Sequence, residues 1–216
     1  MPEQLPKKQK ISRLWIIVAI SLAVALALIL AYVYASLYLS EGSKGNPTTT
    51  SSEKSISAEL ELQSKFIRHA EPKEIPIIEF STEDGTQKTF QDFEGELLLV
   101  NFWATWCAPC RREMKQLDNL QAHFAGQGLR VIAISLDRGT IERPKEFLDE
   151  LGVTHLARGY DAKQKMAQKL RLVGLPTTLV ITPDGRELGR LQGEAEWDGE
   201  AAIKFIESLF LDLPPA

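Results

Sequence analysis

The only two cysteines of the chain are separated by two residues, at a point where the sequence pattern changes from strand to helix. The segment Trp106-Cys107-Ala108-Pro109-Cys110 follows directly on the apolar run of residues 97–103. A near-continuous apolar run predicts a strand that is buried on both faces. Apolar residues at helical spacing then predict a helix over residues 108–125. Two thiols are therefore expected within one turn, where a buried strand meets a helix.

This position suits reversible redox chemistry. The thiolate, not the thiol, attacks a disulfide, and the unpaired N–H groups and the dipole at a helix start favour negative charge. Cys107 is therefore the predicted nucleophile. Cys110 lies three residues on, on the same helix face, where it can resolve a mixed disulfide.

Other uses of two cysteines fit the sequence less well. A structural zinc site needs four ligands, whereas the histidines stand singly at His69, His123 and His155. Attachment of a c-type haem requires histidine after the second cysteine, where this chain has Arg111. A static disulfide across two residues closes almost no loop and adds little stability. We therefore predict a redox-active pair, with no metal and no cofactor.

An uncharged apolar segment near the N-terminus predicts a membrane anchor. Residues 14–39 contain no charged side chain and would span about 39 Å as a helix, against a bilayer core of about 30 Å. The alternative is a cleaved signal peptide, whose apolar region is usually shorter, about 7–15 residues. Residues 1–13 carry four basic residues and one acidic residue, in a chain of net charge −4. The positive-inside rule then predicts a cytoplasmic N-terminus with the remainder outside, and an acidic exported part gives no support to nucleic-acid binding.

Composition predicts five segments along the chain. They are a cytoplasmic N-terminus (1–13), a transmembrane anchor (14–39), a flexible Gly/Ser/Thr-rich tether with a short helix over 58–70 (40–73), a folded domain (74–212) and a C-terminal tail (213–216). Further strands are predicted over 75–80, 86–90, 129–136, 177–182 and 186–191. Further helices are predicted over 142–151, 163–172 and 198–211. This order predicts an α/β fold, in which a mixed central sheet has helices on both faces.

Two separated motifs resemble those of the thioredoxin superfamily. They are Phe102-Trp103-Ala104-Thr105-Trp106-Cys107-Ala108-Pro109-Cys110 and Gly174-Leu175-Pro176-Thr177-Thr178. Residues 74–212, together with the anchor, are similar to the membrane-anchored TlpA/ResA/CcmG group of exported bacterial thiol:disulfide oxidoreductases. The likeness is greatest to its TlpA members, through residues 99–107 and 195–197. The resemblance implies a thioredoxin-like fold.

The resemblance also implies roles for individual residues near the cysteines. Cys107 matches an exposed nucleophile and Cys110 a buried resolving thiol. Pro176 matches a cis-proline that faces the disulfide and presents the backbone of Leu175 to a substrate, with Thr177 beside it. A trans proline at a strand start is the alternative.

Proton transfer and partner docking depend on other side chains. Glu113 matches an acidic residue of the group and could carry the proton of Cys110 if burial raises its pKa; a solvated first-turn glutamate is the alternative. Asn101 stands where cytoplasmic thioredoxins have a buried aspartate, which leaves this task to Glu113 or water. Trp106 is predicted to line the rim where partners dock, with a core position as the alternative, and Trp103 is predicted to pack.

The implied function is reduction of protein disulfides outside the cytoplasmic membrane of a bacterium. The substrates would be proteins of cytochrome c maturation or of cytochrome oxidase copper-site assembly, and a transmembrane thiol reductase would supply electrons. The alternative is a copper-delivery protein that uses the same thiols, because thiolates suit Cu(I). The similar thioredoxin-fold copper chaperones, however, have three residues between their cysteines.

Overall fold

The computed structural model describes residues 13–40 and 47–213, with side chains for residues 20–34 and 56–213. Within these residues the helices are α1 (Arg13–Ser40), α2 (Pro47–Lys65), α3 (Ala108–His123), α4 (Glu142–Glu150), α5 (Lys165–Lys169) and α6 (Glu200–Leu211). The strands are β1 (Phe66–Lys73), β2 (Phe80–Ser81), β3 (Gln87–Lys88), β4 (Leu97–Trp103), β5 (Leu129–Ser135), β6 (Ala157–Tyr160), β7 (Thr177–Ile181) and β8 (Glu187–Gln192). The predicted N-terminus up to residue 12, residues 41–46 of the tether and residues 214–216 of the tail lie outside the described residues.

The chain divides into two compact units, residues 1–50 and 51–216. The first unit contains α1. Across the described residues, we find no helix whose length and apolar character would let it cross a bilayer. The predicted anchor over residues 14–39 is not confirmed.

The second unit is built on one mixed sheet with strand order β1-β8-β7-β4-β5-β6-β2-β3. The central strand β4 is parallel to β5 and antiparallel to β7. All seven residues of β4 are buried, as its apolar run predicts. The sheet confirms the predicted thioredoxin-like α/β fold.

Successive side chains of β4 point to opposite faces of the sheet, and each face has its own apolar core. Leu97, Leu99 and Trp103 pack with residues of α3 and α6. Leu98, Val100 and Phe102 pack on the other face with residues of α5. The prediction of helices on both faces is therefore confirmed.

The entry to the domain differs from the prediction. Residues 66–70, predicted as part of a short helix, belong to β1, which pairs with β8 in antiparallel register. The helix lies earlier, over Pro47–Lys65, and so includes part of the predicted flexible tether. The pairing with β8 and an edge contact between the rings of Phe66 and Phe205, with centroids 5.2 Å apart, favour a strand over the local helical pattern.

Other differences concern short elements. The strand predicted over 75–80 is reduced to β2, and that over 86–90 becomes β3 followed by a 3-10 helix over Phe90–Phe93. The helix predicted over 163–172 is reduced to α5. The strand β6 has the sequence Ala-Arg-Gly-Tyr, which lacks the apolar pattern that predicts a strand.

Strand register brings three loops to one edge of the sheet. Trp103 at the end of β4 pairs with Ser135 at the end of β5, and Phe102 pairs with Thr177 at the start of β7. The loops after β4 and β5 and the loop before β7 therefore meet at this edge, which we call the site edge.

Candidate active site

Cys107 and Cys110 form a disulfide at the start of α3. Their Cα atoms are 5.3 Å apart. Cys107 caps the helix, and its Sγ accepts the backbone N–H of Cys110 at 3.3 Å. Pro109 lies in the first turn, where its missing N–H costs no helical hydrogen bond. The structure thus holds the predicted pair in its oxidised state, at the predicted junction of strand and helix.

Both sulfurs are largely shielded from solvent in this state. As whole residues, Cys110 is fully buried and Cys107 is 6% exposed. The prediction of an exposed Cys107 is therefore wrong for the oxidised form, in which both cysteines belong to one buried apolar cluster. Trp106 is 63% exposed, as predicted for a residue of the rim. Trp103 is buried against Phe147, with ring centroids 5.7 Å apart, as predicted for packing.

The loop before β7 contributes the second motif. The peptide bond between Leu175 and Pro176 is cis, as the resemblance implies. The carbonyl of Pro176 accepts the N–H of Gly193 at 2.9 Å, and the hydroxyl of Thr177 donates to the carbonyl of Gly174 at 2.7 Å. The side chain of Thr177 is buried, so it holds the loop in place rather than facing a partner. Leu175 is half-buried at the site edge.

Glu113 lies one helical turn after Cys110 and is only 1% exposed. Its Oε1 accepts the backbone N–H of Ala195 at 2.7 Å and the indole N–H of Trp197 at 3.0 Å. Its Oε2 accepts the amide N–H of Asn101 at 3.3 Å. Burial raises the pKa of Glu113 to about 7, and the three hydrogen bonds oppose this rise without cancelling it. The alternative of a solvated glutamate is wrong, and a carboxyl that titrates near pH 7 can both take up and return a proton.

Asn101 lies at the centre of β4, opposite Thr178 of β7. Its amide nitrogen donates to Thr178 Oγ1 at 3.0 Å as well as to Glu113. Its Oδ1 is buried and has no hydrogen-bond partner within the described residues. A half-turn of the amide would offer this oxygen to a protonated Glu113, since a protonated carboxyl is a donor. Asn101 thus contacts Glu113, the residue that was predicted to take over proton transfer because Asn101 itself cannot carry a proton.

A buried carboxylate also fixes the loop that precedes the disulfide. Asp137 accepts the backbone N–H of Thr105 at 2.9 Å and its hydroxyl at 2.6 Å. Ser135 donates to the same carboxylate at 2.8 Å. Asp137 lies two residues after the end of β5, in a loop at the site edge. Its hydrogen bonds make it a positioning residue for the chain that leads into Cys107.

The segment after β8 carries functional residues that sequence reasoning missed. Ala195 and Trp197 donate hydrogen bonds to Glu113 from more than eighty residues away, and the sequence marks them only through the family likeness. A cavity of about 560 Å³ lies beside Glu113, between residues of α2, α3 and the segment 194–201. Its lining includes both charged and apolar side chains.

The bond from Trp197 to Glu113 can be tested by removing one donor. We expect Trp197→Phe to raise the pKa of Glu113 above 7, because one of the bonds that favour the carboxylate is lost, and to lower stability by about 1–3 kcal/mol. Trp103→Phe is a matched control, since Trp103 is equally buried but its indole N–H has no partner in the described part of the chain. Carboxyl NMR titration measures the pKa. An equal pKa of Glu113 in the two variants would contradict the hydrogen bond from Trp197 to Glu113.

Fold and site together define a protein of the thioredoxin-like class that carries a Cys-x-x-Cys disulfide at the start of a helix. The family model described as the AhpC/TSA family matches residues 72–186. The chain belongs to this family.

Named relatives agree with this class. The thiol-disulfide oxidoreductase ResA of Oceanobacillus iheyensis is 34% identical over 119 residues, which cover 54% of this chain and 61% of the relative. The thiol:disulfide interchange protein HelX of Rhodobacter capsulatus is 34% identical over 112 residues, which cover 50% of this chain and 61% of the relative. The match thus spans less than two thirds of either relative. The likeness to TlpA members in particular stays a prediction.

A solved structure shares the fold. The crystal structure of a putative thiol:disulfide interchange protein DsbE from Chlorobium tepidum aligns with a TM-score of 0.57 and 25% identity. The alignment covers 63% of this chain and 95% of that chain. The shared part thus corresponds to nearly the whole of the solved chain.

Proposed function

We propose that this chain reduces disulfides of exported proteins through the dithiol form of Cys107 and Cys110. The observation that carries the proposal is the Cys107–Cys110 disulfide at the start of α3, on the same sheet edge as the cis-Pro176 loop. The names of the relatives support exchange between thiols and disulfides.

The first step is attack by Cys107 of the reduced protein. Its thiolate forms a bond to one sulfur of the substrate disulfide, and the other substrate sulfur leaves as a thiolate. The N–H of Cys110, which points at the Cys107 sulfur in the oxidised form, is one of the helix N-terminal groups that favour the thiolate. The product of this step is a mixed disulfide on Cys107.

The second step resolves the mixed disulfide. Cys110 loses its proton and attacks the sulfur of Cys107, so the remaining substrate sulfur is released and two electrons have passed from protein to substrate. Glu113 is the group placed to take the proton, since it is buried one turn from Cys110 and titrates near neutral pH. The cavity that Glu113 lines offers its proton a route to water.

Substrate binding is assigned to the site edge. Trp106 offers an exposed ring beside Cys107, and the backbone of Leu175 next to the cis bond can pair with an extended substrate segment. Pro176 and Thr177 shape this loop, the latter through its bond to Gly174.

Partners are proposed from the family resemblance, and the location is proposed from the sequence. The substrates would be proteins of cytochrome c maturation or of oxidase copper-site assembly, with a transmembrane thiol reductase as electron donor. Residues 14–39 would hold the chain in the bacterial cytoplasmic membrane as a single pass, with the catalytic domain facing the periplasm or outside. The support for this location is the uncharged segment and the basic residues that precede it.

Copper delivery by the same thiols remains the alternative, but no contact favours it. Among the described residues, we find no group of three or more His, Cys, Asp and Glu side chains placed to hold a metal ion. The two-residue gap between the cysteines, against three in the similar copper chaperones, and the names of the relatives favour disulfide reduction as the proposed function.

Trapping tests the proposal. The Cys110→Ser variant can complete the first step but lacks the thiol for the second, so we expect it to accumulate a substrate protein bound through Cys107. Non-reducing electrophoresis of membranes, followed by mass spectrometry of the thiol-released partner, measures the adduct. The Cys107→Ser/Cys110→Ser double variant is the control and should carry none. No adduct in either aerobic or anaerobic cells would contradict exchange with proteins.

A further inference from the structure

Exposed positive charge is concentrated on one side of the site edge. We call five residues the cationic patch: Arg138, Lys163, Lys165, Lys169 and Arg171. All five are exposed, and none forms an ion pair within the described residues. Residues 161–176 hold four of them against one carboxylate, Asp161, which is buried and accepts the N–H groups of Lys165 and Met166. This arrangement is notable in a chain of net charge −4.

Hydrogen bonds and chain position place the two ends of the patch next to loops of the site edge. Gln164, just before α5, donates to the carbonyl of Leu136 at 3.0 Å and accepts from the guanidinium of Arg138 at 3.4 Å. Asp137, which lies between Leu136 and Arg138, accepts hydrogen bonds from Thr105 in the loop that leads into Cys107. At the other end of α5, Arg171 lies five residues before Pro176. Arg138 therefore lies on the loop after β5, and Arg171 lies on the segment that leads into the cis-Pro176 loop.

The backbone at Arg171 indicates that this side chain has a use. Arg171 follows the last turn of α5 with φ of 53°, and the N–H of Leu172 returns to the carbonyl of Ala167 at 2.9 Å. A helix that ends in this way usually has glycine at the left-handed position, because a side chain there is disfavoured. Arginine at such a position beside a reactive site points to function rather than to stability.

Apolar side chains lie between the patch and the cysteines. Val173, two residues after Arg171, is 77% exposed, and Trp106 is 63% exposed. Both lie on loops of the site edge. A substrate segment that fits this surface has apolar side chains next to its disulfide and acidic residues beyond them.

We infer that the cationic patch selects protein substrates whose disulfide is flanked by acidic residues. This inference rests on the proposed function, since it names the class of substrate that the same site prefers. Unpaired charges at the rim of an interface act mainly on the rate of encounter and on its salt dependence. The preference should therefore be largest at low ionic strength, where screening is weak.

The test compares two peptide dimers, each linked by one disulfide and differing only in acidic or basic residues beside it. Pre-reduced full-length protein in detergent is mixed with excess dimer; each turnover oxidises the Cys107/Cys110 dithiol to its disulfide and releases two peptide thiols. We expect the acidic dimer to react about tenfold faster than the basic one at low salt, with the ratio falling as salt rises. Neutral 2-hydroxyethyl disulfide is run in parallel. No reaction with any of the three disulfides overturns the proposed function, whereas reaction with equal peptide rates overturns this inference alone.

Variants assign the preference to the patch. Arg171→Glu should lower the acidic-to-basic ratio about threefold, and the triple reversal Lys165→Glu/Lys169→Glu/Arg171→Glu should invert it. Lys73→Glu changes the net charge by the same amount as Arg171→Glu. Lys73, however, lies opposite Glu187 in the β1–β8 register, at the end of the sheet opposite the site edge. This control should leave the ratio unchanged, and an equal fall in both single variants would overturn the inference.

Two further results separate recognition from other roles of the patch. Arg171→Gly should raise Tm by a few degrees, because glycine relieves the left-handed backbone, yet lower the acidic-to-basic ratio. A ratio that stays constant in this variant overturns the inference.

The protein is also measured in vesicles that contain phosphatidylglycerol. If Arg171→Glu has an effect only there, and equally on both dimers, the patch faces anionic lipid and the inference is overturned.

Discussion

Cys107→Ser is expected to lower the rate of disulfide reduction by on the order of a thousandfold or more. A serine hydroxyl is not ionised near neutral pH, so the helix start that favours a thiolate at residue 107 has no nucleophile to act on. The change is nearly isosteric at a side chain that is 6% exposed, and the fold should persist once the disulfide is absent. Release of thiol from an oxidised model substrate under anaerobic conditions measures the rate.

Cys110→Ser is the matched control for this prediction. It removes the same disulfide but leaves the Cys107 thiolate, so each protein molecule should release one substrate thiol quickly and then stop. A Cys107→Ser protein that reduces the substrate at the parent rate would contradict the mechanism. A Cys110→Ser protein that releases no thiol would contradict the assignment of Cys107 as nucleophile.

The strand–disulfide–helix segment could be predicted because its determinants are local. The apolar run of β4, the cysteine pair and the proline in the first turn lie within fourteen consecutive residues, 97–110. Their local preferences all favour the observed strand, turn and helix start. The cis peptide bond before Pro176 depends instead on tertiary context, and only the resemblance pointed to it.

The environment of Glu113 could not be read from the sequence in the same way. Its partners Ala195 and Trp197 lie 82 and 84 positions away, and no periodic pattern links them to α3. The same holds for β1, whose pairing with β8 depends on residues more than a hundred positions away. Asp137 had a local signal, since a carboxylate at a strand end on the site edge is a candidate for function, but its partner Thr105 became evident only from the fold.

The raised pKa of Glu113 links activity to stability. The carboxyl titrates near 4.5 in its ordinary state and at about 7 in the folded protein, where burial favours the neutral form. Between these values the folded protein binds a proton that the unfolded chain releases. The resulting stabilisation is complete below about pH 4.5 and is lost as the pH rises through 7. Above pH 7 the folded protein holds a buried charge that it would be more stable without.

Glu113→Gln should therefore change activity and stability in opposite directions. Loss of the proton carrier should slow resolution of the mixed disulfide by about a hundredfold, while attack by Cys107 is little affected. Relative to the parent, the variant should gain about 2–3 kcal/mol in free energy of unfolding between pH 5 and pH 8, because glutamine does not titrate. Denaturant unfolding across this range measures the gain, and any constant packing cost cancels from the pH-dependent part. Glu196→Gln, at an exposed glutamate of the same cavity lining, should show neither effect. If the stability difference between Glu113→Gln and the parent stays constant with pH, Glu113 is not the neutral-pH proton carrier.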